Sequence, residues 1–479
     1  MPQSTRHWIS RKVDELRNAP QLPFHDLLEP DTVAKVVDAN HVTFRDRIFS
    51  PLATLWTFLS QVLSPDHSCR EAVARLIAFR VARGQQPCGP ETGSYCKARQ
   101  RLPLKVVTDL ARGRAQQRDE KTKDSSTWKG RTVEMVDGST VSMPDTKANQ
   151  AAFPQPSSQK SGLGFPLARL VAVISLATGA VRELALGPYQ GKATGETELF
   201  RSLWDRFRAG DIILGDRYFA SFFGIAPLRK RGVDGVFRMH QRRKYDFRRG
   251  TRLGVEDHVV RWAKPSRPEW MDEALYAQLP EELVIRELRV KVHRGGFRVE
   301  ELVLVTTLLD SQEYTKEEVA DLYLKRWNIE LDLRSIKSVM QMDVLRCETP
   351  AMVEKEIWMH VLAYNLIRGL MVRAAEAHGK EPRSLSFKGA LQALGSFREP
   401  LQWARGRRRR LLWETLLEVI ASYGVGDRPN RVEPRAIKRR PKKQKLLTEP
   451  RQQARERLLK KRSCESENST LATRYRKAG

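Results

Sequence analysis

The stretch "PLARLVAVISLATGAVRELALG", residues 166–187, decides which fold the middle of the chain adopts. Two runs of β-branched and aliphatic residues flank Thr178-Gly179, a pair typical of a turn between antiparallel strands. The sequence therefore predicts a β-hairpin at this position. A shorter strand, "RTVEMVDGS" at residues 131–139, precedes the hairpin, and we expect it to end at Asp137-Gly138.

The segments after the hairpin alternate between helix and strand. "GETELFRSLWDRF" (195–207) and "RYFASFFGIAPLRKRG" (217–232) have helical patterns, whereas "DIILGD" (211–216) and "DGVFRMH" (234–240) have the patterns of buried strands. Three strands followed by this alternation is the order of a ribonuclease-H-like mixed sheet. We therefore predict a mixed α+β and α/β fold class.

The charge of the chain indicates its partner. The 479 residues carry a formal net charge of +28, with a pI of about 10.1. Residues 401–479 contribute +15 and residues 1–130 contribute +7. Because basic side chains gain affinity by displacing the counterions of phosphates, we expect a nucleic-acid partner. A membrane-surface protein is the alternative, but the sequence shows no amphipathic anchor with an aromatic face.

The cysteines and the apolar runs of the sequence indicate in which cellular compartment the protein is expected. The five cysteines form no C-x-x-C pair, which argues against a disulfide framework and against a structural zinc site. The N-terminus has no apolar signal core, and no apolar run is long enough to span a membrane. We expect a soluble protein of a reducing intracellular compartment that binds no membrane.

The N-terminal region reads as helical. "SPDHSCREAVARLIAFRVAR" (64–83) is followed by a Gly/Pro-rich loop and by "SYCKARQRLP" (94–103), a short helix that carries Lys97 and Arg101 at i, i+4. Helix, turn and basic helix is compatible with a reader of the DNA major groove. The alternative is an ordinary helical bundle with a solvated basic face.

"YLKRWNIELDLRSIK" (323–337) lies in a helix that we predict over residues 314–341. At about 100° per residue, Tyr323, Arg326, Glu330 and Lys337 share an arc of roughly 60° beside an apolar stripe. One carboxylate and three groups suited to phosphate therefore border a buried seam. A solvated helix face is the alternative interpretation.

Three carboxylates occupy positions from which they can converge. Asp137 and Asp216 follow strands, and Glu330 lies on the helix arc. Such a trio could hold two Mg²⁺ ions for phosphodiester cleavage. Each also has an ordinary interpretation: Asp137 as turn chemistry, Asp216 as a helix cap, and Glu330 as the partner of an arginine four residues away. The competing acids fit the expected site less well; they are Asp145, Asp211, Asp321 and Asp332.

These residues carry a resemblance to a known family. The spacing Tyr323-x2-Arg326-x3-Glu330-x6-Lys337 resembles the Tyr-Arg-Glu-Lys signature of the DDE transposases of insertion-sequence family four. "VDGST" (136–140) and "GDRYFAS" (215–221) resemble the blocks around that family's two aspartates, and the likeness spans residues 45 to 400.

The resemblance implies a function and a mechanism. It implies a retroviral-integrase-like core in which Asp137, Asp216 and Glu330 are the catalytic residues and hold two Mg²⁺ ions, with Mn²⁺ as a substitute. Tyr323, Arg326 and Lys337 would hold DNA phosphates. The expected reaction is cut-and-paste transposition through strand cleavage and strand transfer at the terminal inverted repeats of a mobile element. The expected partners are element ends, target DNA and a second copy of the chain on DNA.

The changes of pattern along the chain give a domain plan. The regions are a helical N-terminal DNA-binding region (1–125), a ribonuclease-H-like catalytic core (126–240 and 311–400), a β-rich insertion (241–310) and a basic C-terminal region (401–479), in which we expect a flexible tail beyond about residue 428. In the insertion, Trp262 or Trp270 could stack on a flipped base or simply pack. We expect a cytoplasmic, nucleoid-associated bacterial protein.

Two rival functions stay open at this point. The first is a regulatory or inert DNA-binding protein derived from such an enzyme. The second is a ribonuclease-H-like nuclease that only hydrolyses DNA.

Overall fold

The computed structural model describes residues 27–42, 47–121, 127–191, 194–292, 301–426 and 446–460. In these ranges, the helices and strands form one mixed α/β assembly around a large sheet. The strands are β1 Val133–Ser142, β2 Leu167–Ser175, β3 Val181–Pro188, β4 Ile212–Gly215, β5 Asp234–Arg238, β6 Thr251–Gly254, β7 Asp257–Ala263, β8 Glu282–Lys291 and β9 Glu301–Thr306.

The helices lie at both ends of the chain and between the strands. Before the sheet they are α1 Pro30–Ala39, α2 Pro51–Val62, α3 Cys69–Val81, α4 Gly93–Arg101 and α5 Leu104–Lys121. Between strands they are α6 Lys147–Ala152, α7 Glu196–Arg201, α8 Phe222–Lys230 and α9 Glu273–Ala277. After the sheet they are α10 Lys316–Leu324, α11 Asn328–Arg334, α12 Pro350–Ala377, α13 Phe387–Trp403 and α14 Gly406–Ser422.

The nine strands have the order β3-β2-β1-β4-β5-β9-β8-β7-β6. β1 is antiparallel to β2 and parallel to β4, and β4 is parallel to β5. The predicted hairpin is confirmed, since β2 and β3 pair around a turn in which Gly179 has a φ of +74°. Glycine suits this left-handed conformation because it carries no Cβ.

The end predicted for the first strand is wrong. β1 continues past Asp137 to Ser142, because it stays paired with β2 as far as Ser142↔Leu167. Its pairing with β4 stops earlier, at Val136↔Gly215. Asp137 therefore stands where β1 acquires an open edge, and not at a turn.

The strands of the insertion extend the sheet instead of forming a separate body. β9 pairs with β5 on one side and with β8 on the other, so β6 to β9 continue the same hydrogen-bonded layer. A buried ion pair fastens this part, because Arg286 donates from Nε to Asp257 Oδ1 at 2.8 Å. The same guanidinium donates to the Tyr314 carbonyl at 2.6 Å, which ties β8 to the segment before α10.

The helix predicted over residues 314–341 is interrupted. α10 passes into a 3₁₀ turn at Lys325–Trp327, and α11 passes into a π turn at Ser335–Val339. Both turns change the angle per residue, so the regular phase of 100° fails between Tyr323 and Lys337. The predicted arc therefore does not describe how the four side chains are arranged. Their arrangement is given by the contacts that they make.

Helix α12 is the centre of the larger hydrophobic core. It is buried over most of its 28 residues. Asn365 donates to the Ala111 carbonyl of α5 at 3.1 Å and to the Val181 carbonyl of β3 at 2.8 Å. The N-terminal helices and the sheet therefore share one core.

The folded part continues beyond residue 400. Leu416 and Ile420 of α14 are buried in the same core as α12, and residues 451–460 are helical. The C-terminal region therefore begins with a folded part, because the apolar face of α14 packs on α12 and α13. The remaining basic segments, 427–445 and 461–479, lie outside the described residues.

Candidate active site

The arginine of the helical signature contacts two of the three predicted carboxylates. Arg326 Nη1 lies 3.5 Å from Asp137 Oδ2, and Arg326 Nη2 lies 3.2 Å from Glu330 Oε1. Asp137 and Arg326 are 189 positions apart in the sequence. The fold therefore brings the middle of β1 against the junction of α10 and α11.

Asp216 belongs to the same charged group. It follows β4 directly, and its side chain makes no capping hydrogen bond to the 3₁₀ turn Arg217–Phe219. Its charge acts on the pKa values of both Tyr323 and Arg326. The ordinary role as a helix cap is therefore wrong for Asp216.

Burial and like charges perturb Asp137. Burial raises the pKa of the Asp137 carboxyl from 3.8 to about 6, and Arg326 opposes that shift. The charges of Glu330 and Glu196 push the pKa further upward. A carboxyl that is hard to ionise among other acids is typical of functional sites.

The two other residues of the signature differ in exposure. Tyr323 is buried, and burial raises the pKa of its hydroxyl to about 12. Lys337 is half-buried and donates from Nζ to Ser139 Oγ on β1 at 2.9 Å. Burial lowers the pKa of this ammonium group. Lys337 therefore reaches β1, and Tyr323 lies close enough to Asp216, directly after β4, for the Asp216 charge to act on its hydroxyl.

Arg326 keeps its charge in this buried place. Burial alone would lower the pKa of its guanidinium. The surrounding acidic groups outweigh burial and raise the pKa; they are Tyr323, Asp137, Asp216 and Glu330. Arg326 thus offsets the charge of Asp137 and Glu330, while Arg217 Nε lies 4.0 Å from Asp216 Oδ1.

The competing acids have other partners. Asp332 is fully buried and pairs with Arg368 and with Arg383, the latter at 2.6 Å. Asp211 accepts a hydrogen bond from the Arg208 amide at 2.8 Å, and Asp145 accepts one from Gln150 at 2.7 Å. Within the described part of the chain, these three acids form no hydrogen bond or ion pair with the carboxylates around Arg326.

Two predicted DNA contacts lie elsewhere. Lys97 and Arg101 are exposed on α4, which ends at Arg101 before Pro103 as expected. In the described ranges they form no hydrogen bond or ion pair with the carboxylate group. Their shared exposed position leaves both the DNA-reading and the solvated-face interpretations possible.

The tryptophans of the insertion differ from each other. Trp262 is buried, donates from Nε1 to Glu287 Oε1 at 2.9 Å and is covered by the Arg243 guanidinium at 3.6 Å. It is therefore a packed tryptophan. Trp270 is 40% exposed, with Arg201 over its ring at 3.8 Å.

One residue near the site was missed by sequence reasoning. Glu196, the first residue of α7, lies against Gly138 and acts on the pKa of Asp137. An acidic residue at the start of a helix is common, because it complements the helix dipole. No signal in the sequence separates Glu196 from that ordinary role.

The chemistry of the donor set suits a hard cation. Carboxylate oxygens are the ligands that Mg²⁺ prefers, and Asp137, Asp216 and Glu330 supply three such groups. In the described ranges, however, no three acidic, histidine or cysteine side chains stand close enough to hold a metal ion. Arg326 lies between Asp137 and Glu330, so their oxygens are spread around a guanidinium.

The sequence is similar to those of known proteins. The family described as "Transposase DDE domain" matches residues 128–366, which include all three carboxylates. This chain belongs to the DDE transposases. It is 28% identical over 436 residues to the transposase InsG for insertion sequence element IS4 of Escherichia coli K12, covering 90% of this chain and 94% of that protein.

Two further likenesses are shorter or weaker. The putative transposase InsL for insertion sequence element IS186A of Escherichia coli K12 is 42% identical over 65 residues, 14% of this chain and 18% of that protein. The piggyBac transposase synaptic complex with hairpin DNA aligns with a TM-score of 0.40 and 10% identity, covering 84% of this transposase and 85% of that chain. Among the described residues of the transposase, no helix meets the length and hydropathy needed to cross a bilayer.

Proposed function

We propose that this transposase cuts the terminal inverted repeats of its own mobile element and joins the freed ends to target DNA. The observation that carries the proposal is the contact of Arg326 with both Asp137 and Glu330. An enzyme of this kind needs carboxylates from separate secondary-structure elements close together. Because one guanidinium contacts both Asp137 on β1 and Glu330 on α11, these two carboxylates meet that requirement.

The core that supports this site is ribonuclease-H-like in our proposal. The order β3-β2-β1-β4-β5, with β1 to β3 antiparallel and β4 and β5 parallel to β1, supports that class. In this arrangement Val136 and Gly215 are the last paired residues of the two central parallel strands, so Asp137 and Asp216, which follow them, lie side by side. Residues 126–240 and 311–400 form this core, and residues 241–310 are its insertion.

Asp137, Asp216 and Glu330 would hold two divalent cations, Mg²⁺ or Mn²⁺ in its place. When bound, such cations supply the positive charge that activates an attacking oxygen and stabilises a leaving oxygen. The chain's own contribution is to bring the three carboxylates together. Since Arg326 now contacts two of them, cation binding requires Arg326 to leave these partners.

DNA phosphate offers Arg326 such an alternative partner. A guanidinium binds phosphate through two parallel hydrogen bonds, whereas an ammonium acts as a point charge. Arg326 and Lys337 lie on either side of Glu330 along the chain, so they are suited to hold consecutive phosphates beside the carboxylates. Tyr323 supports Arg326, because the guanidinium lies 5.8 Å from its ring centroid.

The reaction comprises two transfers at phosphorus. In the first, water attacks a phosphodiester at the element end, the bond to the 3′ oxygen breaks, and a 3′-hydroxyl is released. In the second, this hydroxyl attacks a phosphodiester of target DNA, and the target's own 3′ oxygen leaves. Pairing two ends requires two copies of the chain on DNA. We assign end reading to residues 1–125, including Lys97 and Arg101, in a cytoplasmic, nucleoid-associated bacterial protein.

Strand cleavage of labelled element-end DNA tests the proposal. Asp137→Asn, Asp216→Asn and Glu330→Gln should each lower cleavage with Mg²⁺ by at least about 10³-fold, while retaining DNA binding. If all three variants cleave at the wild-type rate, the assignment of these three residues as catalytic is refuted. No cleavage by the wild type would favour a regulatory DNA-binding protein, and cleavage without joined product would favour a hydrolytic nuclease.

A further inference from the structure

A cleft lies between the N-terminal helices and the C-terminal part of the fold. Its lining residues come mainly from α2, α3 and α13, and its volume is about 440 Å³. Of the described residues that line it, none belongs to the site around Arg326. A cavity of this size is typical of sites that hold a small molecule or one group of a larger ligand.

The walls of the cleft are largely apolar and include three aromatic side chains. Trp56 on α2 is buried, Phe79 on α3 is half-buried, and Trp403 at the end of α13 is 44% exposed. An exposed indole offers a flat apolar face on which another ring can stack. The cleft therefore suits a ligand that contains an aromatic ring.

Two arginines that are far apart in the sequence line the same cleft. Arg75 on α3 pairs with Glu71 and donates to the Ser60 carbonyl at 3.3 Å. Arg398 on α13 is half-buried, and in the described part of the chain it makes no hydrogen bond or ion pair. The donors of Arg398 are therefore available to a ligand.

The charges around Arg398 favour an anion beside it. Burial lowers the pKa of its guanidinium, and the charge of Arg75 lowers the pKa further. Glu71 and Glu399 act in the opposite direction, but Glu71 is already paired with Arg75. A bound anion would stabilise the charged form of Arg398, which burial disfavours.

The basic surface continues next to the aromatic walls. The Arg83 guanidinium lies 5.3 Å from the centroid of the Phe79 ring, and the charge of Arg405 acts on the pKa of Arg83. Arg405 follows Trp403 closely in the chain, and further exposed arginines stand at the start of α14. Such a surface fits a chain of phosphates better than a single free anion.

An unpaired nucleotide matches both the aromatic walls and the arginines. It combines a flat base with a phosphate, whereas the bases of duplex DNA are stacked on each other and cannot enter a cleft. Gln341, which follows the π turn that carries Lys337, donates to the Pro65 carbonyl between α2 and α3 at 3.5 Å. The helices of the cleft are thus joined to the segment for which we propose DNA contacts.

We propose that the cleft between α2, α3 and α13 binds one unpaired nucleotide of the DNA held by this transposase, with the base against Trp403 and Phe79 and the phosphate on Arg398. The inference goes beyond the proposed function, because it requires DNA binding but none of the catalytic roles of the three carboxylates.

Fluorescence anisotropy with the full-length chain tests the cleft. The probes are a fluorescein-labelled duplex and the same duplex with a 3′ tail of unpaired thymidines, at one salt concentration. The wild type should bind the tailed duplex about tenfold more tightly than the blunt one. Trp403→Ala and Arg398→Ala should each lose most of this preference, while binding the blunt duplex within about twofold of the wild type.

Two control variants match these substitutions. Tyr423→Ala removes an aromatic side chain that is 45% exposed and does not line the cleft, and it should keep the wild-type preference. Arg408→Ala removes an exposed arginine outside the cleft, and it should weaken binding of both duplexes by the same factor. Equal binding of the two duplexes by the wild type, or an unchanged preference in Trp403→Ala folded by circular dichroism, would overturn the inference.

A fluorescent base analogue in the tail follows the base itself. Pyrrolocytosine loses fluorescence when it stacks on an aromatic ring, so saturating wild type should quench it more than saturating Trp403→Ala does. Equal quenching would mean that the base does not stack in the cleft, and would overturn the inference. Trp403-dependent binding of a labelled glutamate–tyrosine copolymer, without any preference for the tailed duplex, would assign the cleft to an acidic protein partner instead.

Asp137→Asn separates this inference from the proposed function. It should lose DNA cleavage and keep the preference for the tailed duplex. If Asp137→Asn cleaves DNA as the wild type does, the proposed function fails, whereas the inference is decided by the preference for the tail alone.

Discussion

Two acids on α11, two positions apart, should respond to substitution in opposite ways. Glu330 is exposed and contacts Arg326 at the active site, whereas Asp332 is fully buried between Arg368 and Arg383. We predict that Asp332→Asn destabilises the fold and that Glu330→Gln abolishes cleavage without destabilising it.

The magnitude follows from what each substitution leaves behind. Removing the charge of Asp332 leaves two arginines in the interior without their counter-ion, and breaking a buried ion pair in this way costs about 3–5 kcal/mol. Arg383 also donates to the Ser175 and Leu176 carbonyls at 2.8 and 2.9 Å, so the network fastens α11 to the β2–β3 hairpin. Glu330→Gln alters an exposed pair, for which about 0.5 kcal/mol is expected.

Thermal unfolding followed by circular dichroism measures the difference. Asp332→Asn should unfold roughly 3–5 °C below the wild type, and Glu330→Gln within about 1 °C of it. Asp321→Asn is the control, since Asp321 is exposed on the preceding helix. An unchanged unfolding temperature for Asp332→Asn would refute the argument that its network holds α11 in place.

Two further predictions concern proton binding and DNA binding. Burial raises the pKa of Asp137 from 3.8 to about 6. Between about pH 4 and 6, the native state therefore keeps a proton on Asp137 that the unfolded chain has already released. The contribution of Asp137 to the stability of the fold consequently falls as the pH rises through this range. Asp137→Asn should therefore gain stability relative to the wild type over that range, by up to about 3 kcal/mol, and a constant difference in unfolding temperature from pH 4 to 7 would contradict this. Arg326→Ala and Lys337→Ala should each weaken binding to element-end DNA and reduce the slope of log affinity against log salt by about one, measured by fluorescence anisotropy. Unchanged salt slopes in both variants would mean that Arg326 and Lys337 belong to an ordinary solvated helix face and do not bind DNA phosphates.

Local patterns predicted the elements whose structure depends on their own residues. The β2–β3 hairpin and the buried strand before Asp216 follow from apolar periodicity and turn residues. The end of β1 did not follow, because it depends on where β2 and β4 stop pairing with it. The breaks in the helix around Arg326 likewise depend on contacts made outside that segment.

The sequence by itself determined the chemistry available to this transposase: its excess of basic groups, its acids beside the strand-forming runs and its spaced signature. Those properties depend on residue type and on short-range spacing, which the chain carries in any conformation. Only the tertiary structure decided that Arg326 lies between Asp137 and Glu330, that Asp332 is bound by arginines, and that Glu196 borders Gly138. Such contacts join residues far apart in sequence, and the free energy that selects them comes from packing the whole core.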